Sequence, residues 1–323
     1  MSKLKKIMNI AFIGTVTATT IYLLNRTVNY LACKNERLYS PNGHFYHWRF
    51  GNIFYTKQGE GSPILLIHDC TQMSSEQEFT SILQQLSKHH TVYTMDLLGC
   101  GRSEKPKMTY TNFLYVQLFN DFIRNIIGKK TDIIASGYSS SFVTMACQML
   151  PELYGNLMFV NPPSFQSLSK MPTKRHKFLK YFLELPLIGT VVYNMNNSLP
   201  QIKKELDHNI FYAYPNIKAS YVKLCHEAAH KEGSSSKYFY ASLRSHFMNM
   251  NIVQGLKALN NNIYVVTGNC EPNQQQIMKE YRECNPLIEV STIRHAKHLP
   301  HLEHPKEFLE ICSVFFCGED IGE

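Results

Sequence analysis

The sequence contains few charged residues, and several common motifs are missing from it. Of 323 residues, 18% are charged and one is tryptophan, whereas 44% are hydrophobic. This composition excludes a disordered chain, because the apolar side chains suffice for a large core. The absence of internal repeats and low-complexity tracts argues against solenoid and fibrous architectures. A chain of this length is expected to form one α/β core that carries an insertion.

The nine cysteines include no C-x-x-C pair, and their number is odd. This pattern argues against a zinc ribbon and against a disulfide framework. We therefore expect free, mostly buried thiols, which are typical of a reducing compartment. Cys33 follows Tyr30-Leu-Ala, which is a poor lipidation signal.

Basic residues outnumber acidic ones, but they are not concentrated. The formal net charge is +8, and the lysines and arginines are spread thinly apart from small clusters at Lys3 to Lys6 and Lys174 to Lys180. Because no basic stripe is present, nucleic acid is not predicted as a partner.

The first 30 residues form a separate piece. Lysines precede an uncharged stretch from Ile7 to Asn25, and Arg26 closes it. As a helix this stretch spans roughly 28 Å, close to the thickness of the bilayer hydrocarbon. Residues 1–30 are therefore predicted to be a single-pass membrane anchor. A signal peptide or an interfacial helix stays open, because several threonines lower the hydrophobicity. Positive residues flank both ends, so the side of the membrane is unresolved.

Short apolar runs separated by helical patterns predict a mostly parallel sheet covered on both faces. The predicted strands lie at 45–50, 52–56, 64–67, 91–95, 131–135, 157–160, 263–266 and 287–290. The core is assigned to residues 44–162 and 259–323.

Residues 163–258 lack such strands and carry aromatic-rich, amphipathic helical patterns. An insertion after a central strand is expected to form a lid over the carboxyl ends of the sheet, where α/β proteins bind ligands. Its large apolar side chains suggest an apolar substrate, and they are Phe178, Tyr181, Phe182, Leu185, Tyr193, Phe211 and Tyr214.

One serine satisfies the spacing of a nucleophile elbow, which needs small residues two positions on either side of the nucleophile. Ser139 has Gly137 and Ser141 in those places, whereas Ser140 and Ser141 each have a bulky flanking residue. The spacing therefore selects Ser139, although a serine-rich loop without function also fits this motif taken alone.

Four segments together resemble the α/β-hydrolase family over roughly residues 45–315. In chain order they are Ile64-Leu-Leu-Ile-His-Asp-Cys70, Asp96-Leu-Leu-Gly-Cys-Gly-Arg-Ser103, the Ser139 elbow and His298-Leu-Pro-His-Leu-Glu-His-Pro305. They are similar to the family's His-Gly strand end, its Asp-x-x-Gly-x-Gly-x-Ser turn, its elbow and its catalytic-histidine segment. The resemblance implies an α/β-hydrolase fold with a helical lid insertion.

The resemblance also implies a triad of Ser139, Glu271 and His298. His298 is preferred to His295 because only His298 is followed by Leu-Pro-His-Leu-Glu. Glu271 follows the penultimate core strand, where the family usually has aspartate, and its carboxylate would orient the imidazole. Glu280 is the alternative acid, and Asn161, at the other post-strand position, cannot supply a charge.

The oxyanion hole is expected to consist of the backbone N–H groups of Ser140 and Cys70. Asp69 stands where the family has the glycine of His-Gly. A carboxylate beside a developing oxyanion would oppose catalysis unless it is neutralised or points away, so Asp69 indicates either unusual chemistry or lost activity.

By resemblance, the expected reaction is hydrolysis of a small, apolar ester, thioester or amide through an acyl-enzyme on Ser139, with His298 as base. Neither a cofactor nor a metal is required. A serine nucleophile argues against dehalogenase or epoxide hydrolase chemistry, because members of this fold with that chemistry carry aspartate at the elbow.

Two other hypotheses stay open. His226-Glu-Ala-Ala-His230 is an H-E-x-x-H motif, which would hold zinc with Glu227 as general base, but the third-ligand position of the longer motif is Ser236. The second hypothesis is a binding scaffold with a decayed site, suggested by Asp69, Ser141 and Glu271.

Overall fold

The computed structural model describes residues 2–212 and 219–317. Tyr214, one of the apolar residues predicted for the insertion, lies outside the described residues.

A single eight-stranded sheet forms the centre of the described chain, in the order β1-β2-β4-β3-β5-β6-β7-β8. The strand bounds are β1 Gly43–Trp48, β2 Gly51–Gln58, β3 Ser62–Ile67, β4 His90–Met95, β5 Thr131–Ser136, β6 Tyr154–Val160, β7 Ile263–Gly268 and β8 Ile288–Ile293. β1 and β2 pair antiparallel with each other, and β2 pairs antiparallel with β4. All later neighbours are parallel, which confirms the predicted fold class.

The central strands are apolar on both faces because helices cover both sides of the sheet. Leu65 and Ile67 of β3 pack into the core on one face, while Ile64 and Leu66 pack into the core on the other. All four side chains are fully buried, and each burial stabilises the fold by roughly 1.5–3 kcal/mol.

Fourteen α-helices lie in the described residues. Their bounds are α1 Ser2–Cys33, α2 Thr80–Leu86, α3 Asn112–Phe122, α4 Ser139–Met149, α5 Phe165–Leu168, α6 Lys174–Glu184, α7 Ile188–Asn196, α8 Leu199–Glu205, α9 Ala219–His230, α10 Ser236–Arg244, α11 Val253–Ala258, α12 Gln274–Cys284, α13 Pro300–Glu303 and α14 Pro305–Cys317. Helices α5 to α11 lie between β6 and β7, and we call residues 163–258 the helical insertion.

Helix α1 has two parts with different surroundings. Its segment Ile7–Cys33 is long and apolar enough to cross a membrane by length and composition, a test that signal sequences also pass. The side chains of Phe12 and Leu24 are well exposed. From Asn25 onward the helix contacts the body of the protein, where the Asn194 amide of α7 donates to Asn25 Oδ1 over 2.9 Å.

Candidate active site

The carboxyl ends of four parallel strands meet at one cavity of about 800 Å³. Asp69 follows β3, Tyr138 follows β5, Glu271 follows β7 and His298 follows β8, and all four line the cavity. This is the edge at which open α/β sheets bind their ligands, because the loops after the strands diverge there.

Two of the predicted triad residues are brought together. His298 Nδ1 lies 3.2 Å from Glu271 Oε1, and the two side chains are 18% and 19% exposed. The second oxygen of Glu271, Oε2, is buried and has no hydrogen-bond partner among the described residues. A carboxylate at Nδ1 keeps a proton on that nitrogen and aims Nε2 at the cavity.

Asn161 positions the His298 loop. Its side-chain amide donates to the carbonyls of Lys297 and His298 over 2.7 and 2.8 Å, and its Oδ1 accepts from the N–H of Gly268 at the end of β7. Its φ of 43° lies in the left-handed region, which asparagine tolerates better than most residues. Asn161 therefore has a positioning role.

Asp69, not Ser139, is the third member of the hydrogen-bonded chain. Asp69 Oδ2 lies 3.2 Å from His298 Nε2. The other oxygen, Oδ1, accepts the backbone N–H groups of Cys70 and Tyr138 over 2.7 and 2.8 Å. Glu271, His298 and Asp69 thus form a continuous row from β7 to β3.

The backbone around Asp69 is held from both sides. The N–H of Asp69 donates to Glu78 Oε2 over 3.2 Å. His68 Nε2 accepts the N–H of Leu97 over 3.0 Å, which leaves its Nδ1 to donate to the Asp69 carbonyl over 2.7 Å. His68 and Asp69 are both buried, so the Asp69 side chain projects from a fixed loop.

The tight turn after β5 has its left-handed residue at Gly137, two positions before Ser139. Gly137 has φ 51°, whereas Tyr138 is already helical and Ser139 is the first residue of α4. A Cβ atom on Gly137 would overlap the carboxylate of Asp69. The space that a side chain at the turn would fill therefore contains the Asp69 carboxylate.

Ser139 lies beneath this turn. Its side chain is fully buried, its Oγ donates to the His68 carbonyl over 2.6 Å, and it is not among the described residues that line the cavity. The nucleophilic role of Ser139 stays a prediction, and it needs the hydroxyl to leave this bond and approach His298.

The predicted oxyanion donors are arranged differently from each other. The N–H of Cys70 points to Asp69 Oδ1, but the N–H of Ser140 donates to the Gly137 carbonyl over 3.2 Å. The donor that converges with Cys70 is Tyr138, the residue after the left-handed glycine. The elbow spacing also fits Gly137, because the small residues Ala135 and Ser139 lie two positions before and two positions after it.

Charge pairing shifts the pKa values of two groups in the site. Burial alone would lower the pKa of His298, but its bonds to Asp69 and Glu271 raise that pKa well above its ordinary value. Burial alone would raise the pKa of Asp69, but His298 and the N–H groups of Tyr138 and Cys70 hold it below its ordinary value. Both shifts favour an imidazolium between two carboxylates, a state in which Nε2 has no lone pair free to act as a base.

The H-E-x-x-H motif of α9 serves a structural purpose. Glu227 is fully buried, and its carboxylate accepts the backbone N–H groups of Arg37 and Leu38 over 2.8 and 3.3 Å. The carboxylate that would act as general base is thus occupied. Within the described ranges, no three His, Cys, Asp or Glu residues are grouped to hold a metal ion.

The cavity wall is more polar than the insertion's sequence suggests. Phe178 and Tyr181 are exposed at the outer surface and Tyr193 is buried, and none of the three lines the cavity. The wall instead carries Gln72, Asn196, Asn197, Gln201, Glu205 and Arg244 beside Tyr240 and Ile202. A substrate with hydrogen-bonding groups fits this wall.

Comparison with known proteins gives a family match over most of the core. The profile of the Alpha/beta hydrolase family matches residues 64–311. A 2-hydroxy-6-oxo-6-(2'-aminophenyl)hexa-2,4-dienoic acid hydrolase of Metapseudomonas resinovorans is 35% identical over 78 residues, which are 23% of this chain and 27% of that protein. An uncharacterized protein of Mycobacterium tuberculosis is 26% identical over 103 residues, 32% of this chain and 30% of its own. The matches thus span less than a third of the length of these curated relatives.

Solved structures share the fold at low identity. A serine hydrolase involved in carbazole degradation has a TM-score of 0.67 at 17% identity, covering 86% of this chain and 99% of that one. A membrane phospholipase A has a TM-score of 0.69 at 18% identity, with 98% and 99% covered. A carboxylesterase from Bacillus subtilis has a TM-score of 0.65 at 14% identity, and the coverage is 94% and 99%.

Proposed function

Because this chain belongs to the α/β-hydrolase family, we propose that it hydrolyses a small organic substrate in the cavity at His298. In this reaction His298 transfers protons and Glu271 orients it. Water is the second substrate, and the residues at the site need no cofactor for proton transfer.

One observation carries this proposal: the row Glu271–His298–Asp69 lies at the wall of a large cavity above the parallel strands. One buried and one largely buried carboxylate on a single imidazole are costly to assemble, because each charge is partly or wholly removed from water. Perturbed titratable groups in a cleft are typical of catalytic sites.

Hydrolysis of an ester, thioester or amide through Ser139 is the second candidate. The four-segment resemblance favours it. It requires that Ser139 leave the His68 carbonyl, to which it is bonded over 2.6 Å, and that Asp69 leave His298 Nε2, so that the imidazole can accept the serine proton. A fluorophosphonate probe that labels the wild type but not Ser139→Ala would support this route.

The proposed function is tested by turnover of a panel of small esters, thioesters, amides, dienoic acids and epoxides. We expect His298→Gln to lower kcat/KM on the active substrate by about 10²–10⁴-fold, as for the loss of a general acid–base group. His89→Gln is the matched control, because His89 is exposed near the start of β4, at the opposite end of the sheet. Equal rates in wild type and His298→Gln would contradict the proposal. A wild type that turns over no substrate of the panel would favour the hypothesis of a binding scaffold with a decayed site.

Helix α1 anchors the enzyme in a membrane in this proposal. The buried Asn25–Asn194 bond supports an anchor over a cleaved leader, because a leader would be removed together with residues that pack on the helical insertion. The test is the mass of the protein from cell membranes after alkaline extraction. An intact amino terminus in the extracted membranes is expected. A mass that lacks residues 1–30 would identify a signal peptide, and release by alkali would identify a surface helix.

A further inference from the structure

We propose that Asp69 is the nucleophile of this site and that it opens an epoxide through a covalent alkyl ester. The inference rests on the proposed function and specifies its reaction. It departs from the expectation of a serine nucleophile, and it follows from the position of one carboxylate.

The Asp69 carboxylate lies where a side chain from the turn after β5 would lie. Gly137 occupies the left-handed position of that turn, and a Cβ atom there would overlap Asp69. The side chain therefore comes from β3 instead of β5, but it reaches the same point, in contact with His298 Nε2 and at the wall of the cavity.

The two oxygens of Asp69 are differentiated as a nucleophile requires. Oδ1 is fixed by the N–H groups of Cys70 and Tyr138, and it lies close to the amino terminus of α4, whose dipole favours negative charge. Oδ2 faces His298. The side chain is 9% exposed and lines the cavity, so Oδ2, which accepts neither backbone N–H group, is the oxygen left for a substrate.

The first step forms an ester. A lone pair of Asp69 Oδ2 attacks a ring carbon of the epoxide, so a new C–O bond forms while the ring C–O bond breaks and its electron pair moves to the ring oxygen. That oxygen takes the Nε2 proton of the His298 imidazolium. Esterified Asp69 is neutral, so His298 loses one of the two charges that held its proton, which favours this transfer.

The second step restores the enzyme. Neutral His298 accepts a proton from water, and the water oxygen attacks Cγ of the ester. Negative charge then develops on Oδ1, where the N–H groups of Cys70 and Tyr138 already point. Collapse breaks the bond between Cγ and the alkyl oxygen, which takes the hydroxyl proton of the intermediate. The products are a diol, the Asp69 carboxylate and the imidazolium.

Carboxylate chemistry favours a saturated carbon over an acyl carbon. Attack on an ester would give an anhydride, which is less stable than the ester it replaces, whereas attack on an epoxide releases ring strain and gives a stable ester. An epoxide also needs an acid for its leaving oxygen, and the site holds the acid His298 at hydrogen-bond distance from the nucleophile.

The test follows oxygen from solvent into Asp69. Full-length wild type in excess over styrene oxide reacts once in oxygen-18 water and is then digested for mass spectrometry. We expect one oxygen-18 atom in the peptide that contains Asp69 and none in the new hydroxyl of the diol. Label in the diol alone would overturn the inference, because water would then attack the epoxide directly.

Variants separate this inference from the proposed function. Asp69→Asn keeps an oxygen for the two N–H groups but loses the nucleophile, and we expect a rate loss on the order of a thousandfold. Asp207→Asn, a partly exposed aspartate beside His208, is the matched control. An active Asp69→Asn beside an inactive His298→Gln would overturn the inference and leave the proposed function standing.

Two further outcomes are decisive, and one folding control applies to every variant. Ser139→Ala should still label Asp69, and loss of that label together with probe-reactive Ser139 in the wild type would overturn the inference. Ester turnover that needs His298, without turnover of any epoxide, would overturn it as well. Thermal melting of each variant within a few degrees of wild type shows that a lost rate is not lost folding.

Discussion

His298 lies between two carboxylates, and this position determines the pH dependence of the reaction. The lowered pKa of Asp69 keeps it charged from mildly acidic pH upward. The raised pKa of His298 keeps the imidazolium through neutral pH. Both residues therefore carry charge over a wide pH interval.

We expect the single-turnover rate of ester formation to be flat over that interval. It should fall below the lowered pKa of Asp69, where the nucleophile is protonated, and above the raised pKa of His298, where the acid is lost. Rapid-quench kinetics from pH 4 to pH 10 check this. Acylation of Ser139 would instead become faster as pH rises, because His298 must lose its proton before it can act as a base.

The same pKa shift predicts a stability change. A histidine whose pKa is raised by folding adds stability that is complete below its unfolded pKa of about 6.5 and is lost as pH rises through its folded pKa. We expect His298→Gln to remove this dependence, so the unfolding free energies of wild type and variant should converge as pH rises above neutral. Urea titrations at several pH values measure the difference, with His89→Gln as the control.

At the scale of elements, the turn between β5 and α4 can be redesigned. In the double variant Asp69→Gly and Gly137→Ser, the Asp69 carboxylate no longer fills the space at the turn. A serine hydroxyl then lies there, beside His298. We expect this double variant to gain labelling by a fluorophosphonate probe, while Gly137→Ser alone clashes with the Asp69 carboxylate and melts at lower temperature. If Ser139 is the nucleophile, labelling in the double variant should instead disappear on adding Ser139→Ala.

Helix α9 supports a second element-scale prediction. Glu227 holds the backbone of Arg37 and Leu38, and both residues lie just after α1. Glu227→Gln should cost about 1–3 kcal/mol of unfolding free energy, the usual penalty for leaving a buried donor unsatisfied. Glu232→Gln is the matched control, because Glu232 is exposed. A loss of metal-dependent peptidase activity in Glu227→Gln with unchanged stability would contradict this view and restore the zinc hypothesis.

The strands were predictable because each is a short apolar run between turn residues. The family profile and the parallel sheet confirm the predicted fold. The pairing of Glu271 with His298 was expected from the family resemblance, and the two side chains lie 3.2 Å apart. The position of the turn was not predicted. The spacing of small residues that marks an elbow was considered around serines only, but Ala135 and Ser139 give Gly137 the same spacing. The sequence did single out Asp69, but no local pattern shows that its side chain crosses from β3 to β5.

At the scale of the whole molecule, the helical insertion connects the site to helix α1, the proposed anchor. Its helix α7 contacts α1 through Asn194 and Asn25, and its residues Asn196 and Gln201 line the cavity. Long-range contacts of this kind leave no periodic signal in a sequence, which explains why an anchor separate from the insertion was expected.

The Asn25–Asn194 contact has a mechanical consequence. A protein on a flexible tether samples many heights and orientations above a bilayer, whereas here the last turns of α1 are part of the folded body. In the proposed anchored form, the opening of the cavity would therefore be held at one distance and one tilt relative to the lipid surface, and the molecule would rotate only about the axis of its anchor. Access to the site would then depend on depth, so that molecules dissolved at the matching depth of the interface would meet His298 more often than the same molecules free in water.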